Sequence, residues 1–328
     1  MRRFGKILGW VLLGLIVLIG ASWLFGPYED ATLTPRPEAV MIDGDLDAHF
    51  AAVEAAYEDI TPGVEKRVIW AGQAGAKTPW SILYVHGFSA TSEEIRPVPD
   101  AVAESLGANL IYTRLQGHGR GPEAMAEGTV QGWVDDLAEG IAAARVAGEK
   151  VLIISTSTGG TLVAATAQNE ALMEDVAGLV FVSPNFGINN PLATLLTWPA
   201  ARYWLPSLAG ERRSFEPSSE AHGRYWTTEY ASVAVLPMAV LIQATMAMDH
   251  GAQTLPALFW YATDDRVVRP DITAEVAAAW GGDAQVINPV MGEGDDPLAH
   301  VATGDIMSPG QTERAVIDML AFVRELDP

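Results

Sequence analysis

Seven short apolar runs, Val68 to Trp70, Ile82 to Val85, Leu110 to Thr113, Val151 to Ser155, Leu179 to Val182, Ala257 to Tyr261 and Ala284 to Ile287, recur between longer segments of helical periodicity. The helical segments are Pro97 to Leu106, Val134 to Ala147, Gly160 to Asn169, Asp271 to Trp280 and Thr312 to Leu326. Short apolar runs that alternate with longer amphipathic segments have the pattern of strands joined by helices. They therefore predict a mostly parallel α/β sheet covered by helices on both faces. A hydrophobic content of 49% with 19% charged residues, in 328 residues, can supply such a core.

Two regions fall outside that rhythm. Ile7 to Phe25 carries no charge and follows Arg2, Arg3 and Lys6, which suits a helix that crosses a bilayer with its amino terminus in the cytoplasm and the body outside, periplasmic or extracellular. A cleaved signal peptide is the alternative, since Gly20-Ala21-Ser22 is a passable cleavage site. Trp23-Leu24-Phe25 extends the apolar run past that site, and Trp10 and Trp23 sit near the two expected interfaces, so an uncleaved anchor is favoured. The second region, Asn185 to about Leu255, shows no strand pattern. Its tryptophans (Trp198, Trp204, Trp226), its prolines and the apolar run Val233 to Met248 predict a helical cap over the carboxyl ends of the strands, where open parallel sheets bind ligands. The expected organisation is an anchor or signal at 1–26, a tether and edge helix at 27–65, the first half of the core at 66–184, the cap at 185–255 and the second half of the core at 256–328.

Charge and composition remove several function classes. Beyond the first six residues the chain holds 17 basic against 41 acidic residues, which disfavours nucleic acid and anionic surfaces. With no cysteine, thiolate nucleophiles, disulfides and cysteine-bound metals are excluded. No phosphate loop, zinc-helix motif or dinucleotide fingerprint is present, and no cofactor or metal is expected. The acidic run Glu293, Asp295 and Asp296 lacks calcium-loop spacing and reads as a solvated loop.

The chemistry lies at the carboxyl ends of the runs. Ser157-Thr158-Gly159-Gly160 follows Val151 to Ser155 directly, as a nucleophile on a tight strand-to-helix turn would, with small residues where backbones must approach closely. The position two before the serine, usually glycine in such turns, is Ser155. His86-Gly87-Phe88 follows Ile82 to Val85, so the Phe88 amide can join that of Thr158 as a pair of oxyanion donors. Asp264 and Asp265 both follow the Ala257 to Tyr261 run, and only one of two adjacent side chains can reach a histidine. Of the six histidines, His300 alone follows them and is the candidate base; His86 and His118 read as structural, and His222 and His250 lie in the cap.

This set, strand-His-Gly-x, a small-x-Ser-x-Gly elbow, a late Asp before Val-Val and a later His, resembles the α/β-hydrolase fold family. It is most similar to the monoacylglycerol lipase and serine aminopeptidase-like branch. Gly117-His118-Gly119 also resembles a loop carried there. The resemblance spans about residues 66 to 326 outside the cap. It implies Ser157 as nucleophile, His300 as base, Asp265 (the acid of Asp-x-Val-Val) as its partner, and Phe88 and Thr158 as oxyanion donors. The expected activity is hydrolysis of a lipid-like carboxylic ester, monoacylglycerol or lysophospholipid, through an acyl-enzyme. Met238, Met246 and Met248 are expected to line an apolar acyl pocket. Two alternatives share the fold. An aminopeptidase or amidase would use Glu211, Glu216, Glu220 or Glu229 to hold an ammonium, and a non-catalytic lipid binder would not use the serine.

Overall fold

The computed structural model describes residues 2–42 and 44–326; Met1, Asp43, Asp327 and Pro328, at the extremes of the expected anchor and second core half and within the expected tether, lie outside it. In chain order the helices are α1 (Arg2–Phe25), α2 (Leu46–Glu54), α3 (Val98–Leu106), α4 (Val130–Ala147), α5 (Thr158–Thr166), α6 (Ala201–Ala209), α7 (Glu220–Tyr225), α8 (Val235–Met246), α9 (Pro270–Ala279) and α10 (Thr312–Leu326). The strands are β1 (Arg67–Ile69), β2 (Thr78–Val85), β3 (Asn109–Tyr112), β4 (Gly148–Thr156), β5 (Val176–Val182), β6 (Arg212–Ser214), β7 (Glu229–Ala231), β8 (Ala257–Trp260) and β9 (Ala284–Ile287).

Seven of these strands form one sheet in the order β1-β3-β2-β4-β5-β8-β9, parallel throughout except for β1, which pairs antiparallel with β3 at the edge. The continuous apolar runs are explained by alternation between two cores. Leu83, Val85, Ile111, Val151, Ile153, Phe181 and Phe259 face α4, α5 and α9. Ile82, Tyr84, Leu110, Leu152, Ile154, Val182 and Trp260 face α3 and α10. In the central strands both faces are covered, so neighbouring residues are buried and the period-2 signal vanishes from the sequence, whereas the edge strands β1 and β9 are partly exposed. Buried indoles find acceptors: Trp133 Nε1 donates to the Gln116 carbonyl at 3.0 Å and Trp260 Nε1 to Asp318 at 3.1 Å.

Two expectations need correction. The 185–255 segment does contain strands: β6 and β7 pair antiparallel, with Arg212 bridging Glu229 and Glu123. Three residues per strand are too few to show periodicity. The segment is also divided in its packing, because Val240 and Leu241 of α8 belong to the main core whereas α6 packs outside it on Val235 and Leu236. The stretch after α1 is extended, but it lies on the body: Leu33, Ala39 and Ile42 pack against the core and Arg36 pairs with Asp135 at 2.6 Å.

Candidate active site

The site stands at the carboxyl ends of β2, β4 and β8. Between β4 and α5 the chain reverses at Ser157, whose φ of 50° lies in the left-handed region, strained for a residue with a side chain. Three hydrogen bonds hold it there: Ser157 N–H to the Val182 carbonyl at 3.0 Å, and the N–H groups of Thr161 and Asn185 to the Ser157 carbonyl, both at 3.1 Å. The turn demands glycine two residues on, because a Cβ at Gly159 would stand 2.4 Å from the Val85 oxygen. At position 155 the usual glycine is replaced without a clash: the Ser155 hydroxyl is fully buried and donates to the Val180 carbonyl at 3.0 Å.

Ser157, His300 and Asp265 are brought together. His300 Nδ1 lies 2.8 Å from Asp265 Oδ2, and Nε2 lies 3.0 Å from Ser157 Oγ. A carboxylate can only accept, so Nδ1 carries the proton and Nε2 is left to accept from the serine hydroxyl. The other Asp265 oxygen accepts from the N–H groups of Val267 and Val268 at 2.8 and 3.0 Å, which gives the Asp-x-Val-Val spacing its physical meaning. Asp264 is exposed. Burial disfavours the charged imidazolium, yet the Asp265 carboxylate and its hydrogen bond outweigh this and hold His300 above its ordinary pKa, with Glu94 adding in the same direction.

The Phe88 and Thr158 amides flank the serine. Neither has an acceptor within the chain among the described residues, so both are available to an oxygen anion. Phe88 packs edge-on to Tyr230, with ring centroids 5.4 Å apart. His86 accepts the Leu115 N–H at 3.1 Å, and burial with the neighbouring His118 holds its pKa well below the ordinary value. Burial likewise pulls His118 down to about 4. Both are neutral near pH 7 and shape the loops. In the cap, His222 bonds Ser218 and His250 packs against Phe186; burial lowers both.

Two acids at the site escaped the sequence reading. Glu94 is fully buried, accepts from Gly87 N–H at 2.7 Å and Tyr84 hydroxyl at 3.0 Å, and is pushed up to about 7 by burial. Its Oε1 and the Ser157 Cβ lie 2.6 and 3.1 Å from the point where a Gly87 Cβ would stand, so Gly87 makes room for both. No short-range pattern connects Gly87 with a residue seven positions later. Asp296, expected in a solvated loop, is instead buried: it accepts from the N–H groups of Leu298, His300 and Val301 at 2.9 to 3.0 Å and so fixes the His300 turn. Asp295 is likewise buried, accepting from Gly292 and Gly310. An acid followed four residues later by the candidate base was the available signal.

Of the three methionines, only Met238 reaches the apolar cluster that includes Phe88, Leu205 and Trp204; Met246, at the far end of α8, is exposed. Ser157 is 6% exposed beneath the cap. A surface cavity of about 280 Å³ between Thr91, Arg120, Trp226 and Thr227 touches none of Ser157, Asp265 and His300, although Thr227 N–H donates to the Ser89 carbonyl beside Phe88 at 2.7 Å. Among the described residues no cluster of three or more His, Asp or Glu could hold a metal.

The family profile described as "Serine aminopeptidase, S33" matches residues 76–287. The thermostable monoacylglycerol lipase of Bacillus sp. (strain H-257) is 25% identical over 244 residues, which cover 73% of this chain and 89% of that one. A structure described for LipS and LipT, two metagenome-derived lipolytic enzymes, aligns with a TM-score of 0.66 at 20% identity over 81% of this chain and 99% of that one. The monoglyceride lipase from Saccharomyces cerevisiae, as a soluble variant with a substrate analogue, aligns at 0.59 and 12% identity over 82% and 96%. At these identities the structural likeness establishes the fold.

Proposed function

The chain belongs to the serine aminopeptidase S33 family of α/β-hydrolases, and from that premise we propose that it is a serine hydrolase of carboxylic esters. Ser157 attacks the ester carbonyl while His300 Nε2 takes its proton. The Phe88 and Thr158 amides hold the oxyanion. His300 then protonates the leaving alcohol, and water repeats the sequence on the acyl-enzyme. Asp265 keeps the imidazole in the required tautomer and stabilises its charged form.

The observation that carries this reading is the hydrogen-bonded chain from Ser157 Oγ through His300 to Asp265, at 3.0 and 2.8 Å. Ser157→Ala is expected to abolish both hydrolysis of a short-chain p-nitrophenyl ester and labelling by a fluorophosphonate. Full labelling of that variant would refute the assignment of the nucleophile.

The substrate is a monoacylglycerol-like or lysolipid ester. The Met238, Trp204 and Leu205 cluster beside Phe88 suits an acyl chain, and the Bacillus and yeast relatives are described as monoacylglycerol and monoglyceride lipases. The four cap acids of the aminopeptidase alternative are all exposed, and Glu229 is engaged by Arg212. Cleavage of an aminoacyl anilide in preference to an acyl ester would reverse the choice. The apolar helix over residues 4–25, with a mean hydropathy of 2.4 and none of its residues buried, serves as the membrane anchor. Arg2, Arg3 and Lys6 keep the amino terminus cytoplasmic and put the body outside.

A further inference from the structure

The carboxyl end of α1 is joined to the segment leading into α6. Trp23 meets the Trp198 ring edge-on, with centroids 5.4 Å apart. Gly26 N–H donates to the Ser22 carbonyl at 2.7 Å, and a Cβ on Gly26 would stand 2.7 Å from Pro199 Cβ. Ala200 N–H donates to the Pro27 carbonyl at 2.6 Å, and Arg202 grips Glu29 through two hydrogen bonds of 2.8 and 2.7 Å. All the partners fall within residues 198–202.

The helix that follows has two apolar sides. Ala201 and Leu205 point inward, into the cluster that includes Phe88. Tyr203 and Leu208 point outward, 74% and 73% exposed, with exposed Leu192 and Trp198 close by in sequence. Such a surface is out of place on a strongly acidic soluble body and marks contact with an apolar partner. The end of a membrane span lies at the bilayer surface, where Trp and Tyr are favoured, and a segment stacked on Trp23 lies at the same depth.

We propose that the cap face formed by Leu192, Trp198, Tyr203 and Leu208 rests in the bilayer interface, held there by the Trp23–Trp198 and Glu29–Arg202 contacts. The inference rests on the anchor and ester-hydrolase readings above. The surface it fits is electroneutral: Arg202 is engaged by Glu29, and Arg212 by Glu123 and Glu229, so these two arginines are paired with acids rather than offered to anionic headgroups. In this arrangement α6 stands between the lipid and the Phe88 side of the site, and an acyl chain leaves the leaflet beside the cap without crossing bulk water.

The chain has no cysteine, so single labels report cleanly. Environment-sensitive fluorophores on Tyr203→Cys and Leu208→Cys, in the full chain reconstituted into phosphatidylcholine vesicles, are expected to shift to the blue and to be quenched by doxyl-labelled lipid. A label on Gln73→Cys, in an exposed loop before β2, is expected to remain aqueous. Unquenched labels at 203 and 208 in a chain whose mass shows an intact amino terminus overturn the docking. A mass lacking the first 22 residues overturns the anchor reading and the docking with it. Turnover of soluble p-nitrophenyl butyrate in the same vesicles scores the catalytic reading separately. Arg202→Glu is expected to slow hydrolysis of vesicle-embedded long-chain monoacylglycerol several-fold with the butyrate rate unchanged, and Glu29→Arg combined with Arg202→Glu to restore it. Equal loss on both substrates, or loss on neither, overturns the role of the ion pair.

Discussion

Replacing Glu94 by Gln offers a direct measure of what burial does at this site. Glu94 is fully buried with two hydrogen-bond donors and, among the described residues, no salt-bridge partner, and its carboxyl is raised from 4.5 to about 7. The folded state therefore holds this proton more tightly than the unfolded chain. Its stabilising effect is complete below about 4.5 and is lost as pH rises through 7. At 1.36 kcal/mol per pK unit, ionised Glu94 costs about 3 kcal/mol above pH 8. A glutamine keeps an acceptor for Gly87 N–H and cannot ionise. Unfolding by denaturant in detergent, at pH 5 and pH 8.5, is the assay: similar stability is expected at the lower pH, and a gain approaching about 3 kcal/mol for the variant at the higher. A difference independent of pH, or one favouring wild type as pH rises, would refute the argument. The same change tests the electrostatics of the base. Glu94 and Asp265 both raise His300, so the wild-type rate is expected to reach its half-maximum above pH 6.5, and Glu94→Gln to move that limb to lower pH.

Asp265→Asn leaves the shape of the site but removes the acceptor that selects the Nδ1–H tautomer, and kcat for a soluble ester is expected to fall by about 10⁴. Asp296→Ala strips three buried N–H groups of their acceptor. A stability loss of about 3 kcal/mol in denaturant, with a lower kcat from the loosened His300, is expected. Gly159→Ala sets a methyl 2.4 Å from the Val85 carbonyl oxygen, a backbone atom that cannot rotate away. A loss of at least about 3 kcal/mol, or failure to accumulate folded protein, is expected from unfolding and expression measurements.

The succession of elements was legible because the central strands lie in a sheet buried on both faces, where burial leaves its mark on nearly every residue of the run; the edge strands β1 and β9 are partly exposed, and all seven expected strands form, within a few residues of their limits. The turn at Ser157 was legible because a tight turn imposes small neighbours locally, whereas Asp265 was separated from Asp264 only by the family resemblance, whose Asp-x-Val-Val spacing matches the amides two and three residues on that bond its carboxylate. Other features depend on proximity that no local pattern encodes. Glu94 acquires its raised pKa from burial, which outweighs the lowering effect of the hydrogen bonds from Gly87 and Tyr84, and Asp296 is buried by the loop it organises rather than solvated as its acidic neighbourhood implied. The strands of the cap are too short to show a period, and the joining of α1 to residues 198–202 links positions some 175 residues apart. Hydrophobic period and turn chemistry act over a few residues and are written along the chain; desolvation and ion pairing depend on which distant segments meet, and only the folded chain decides that.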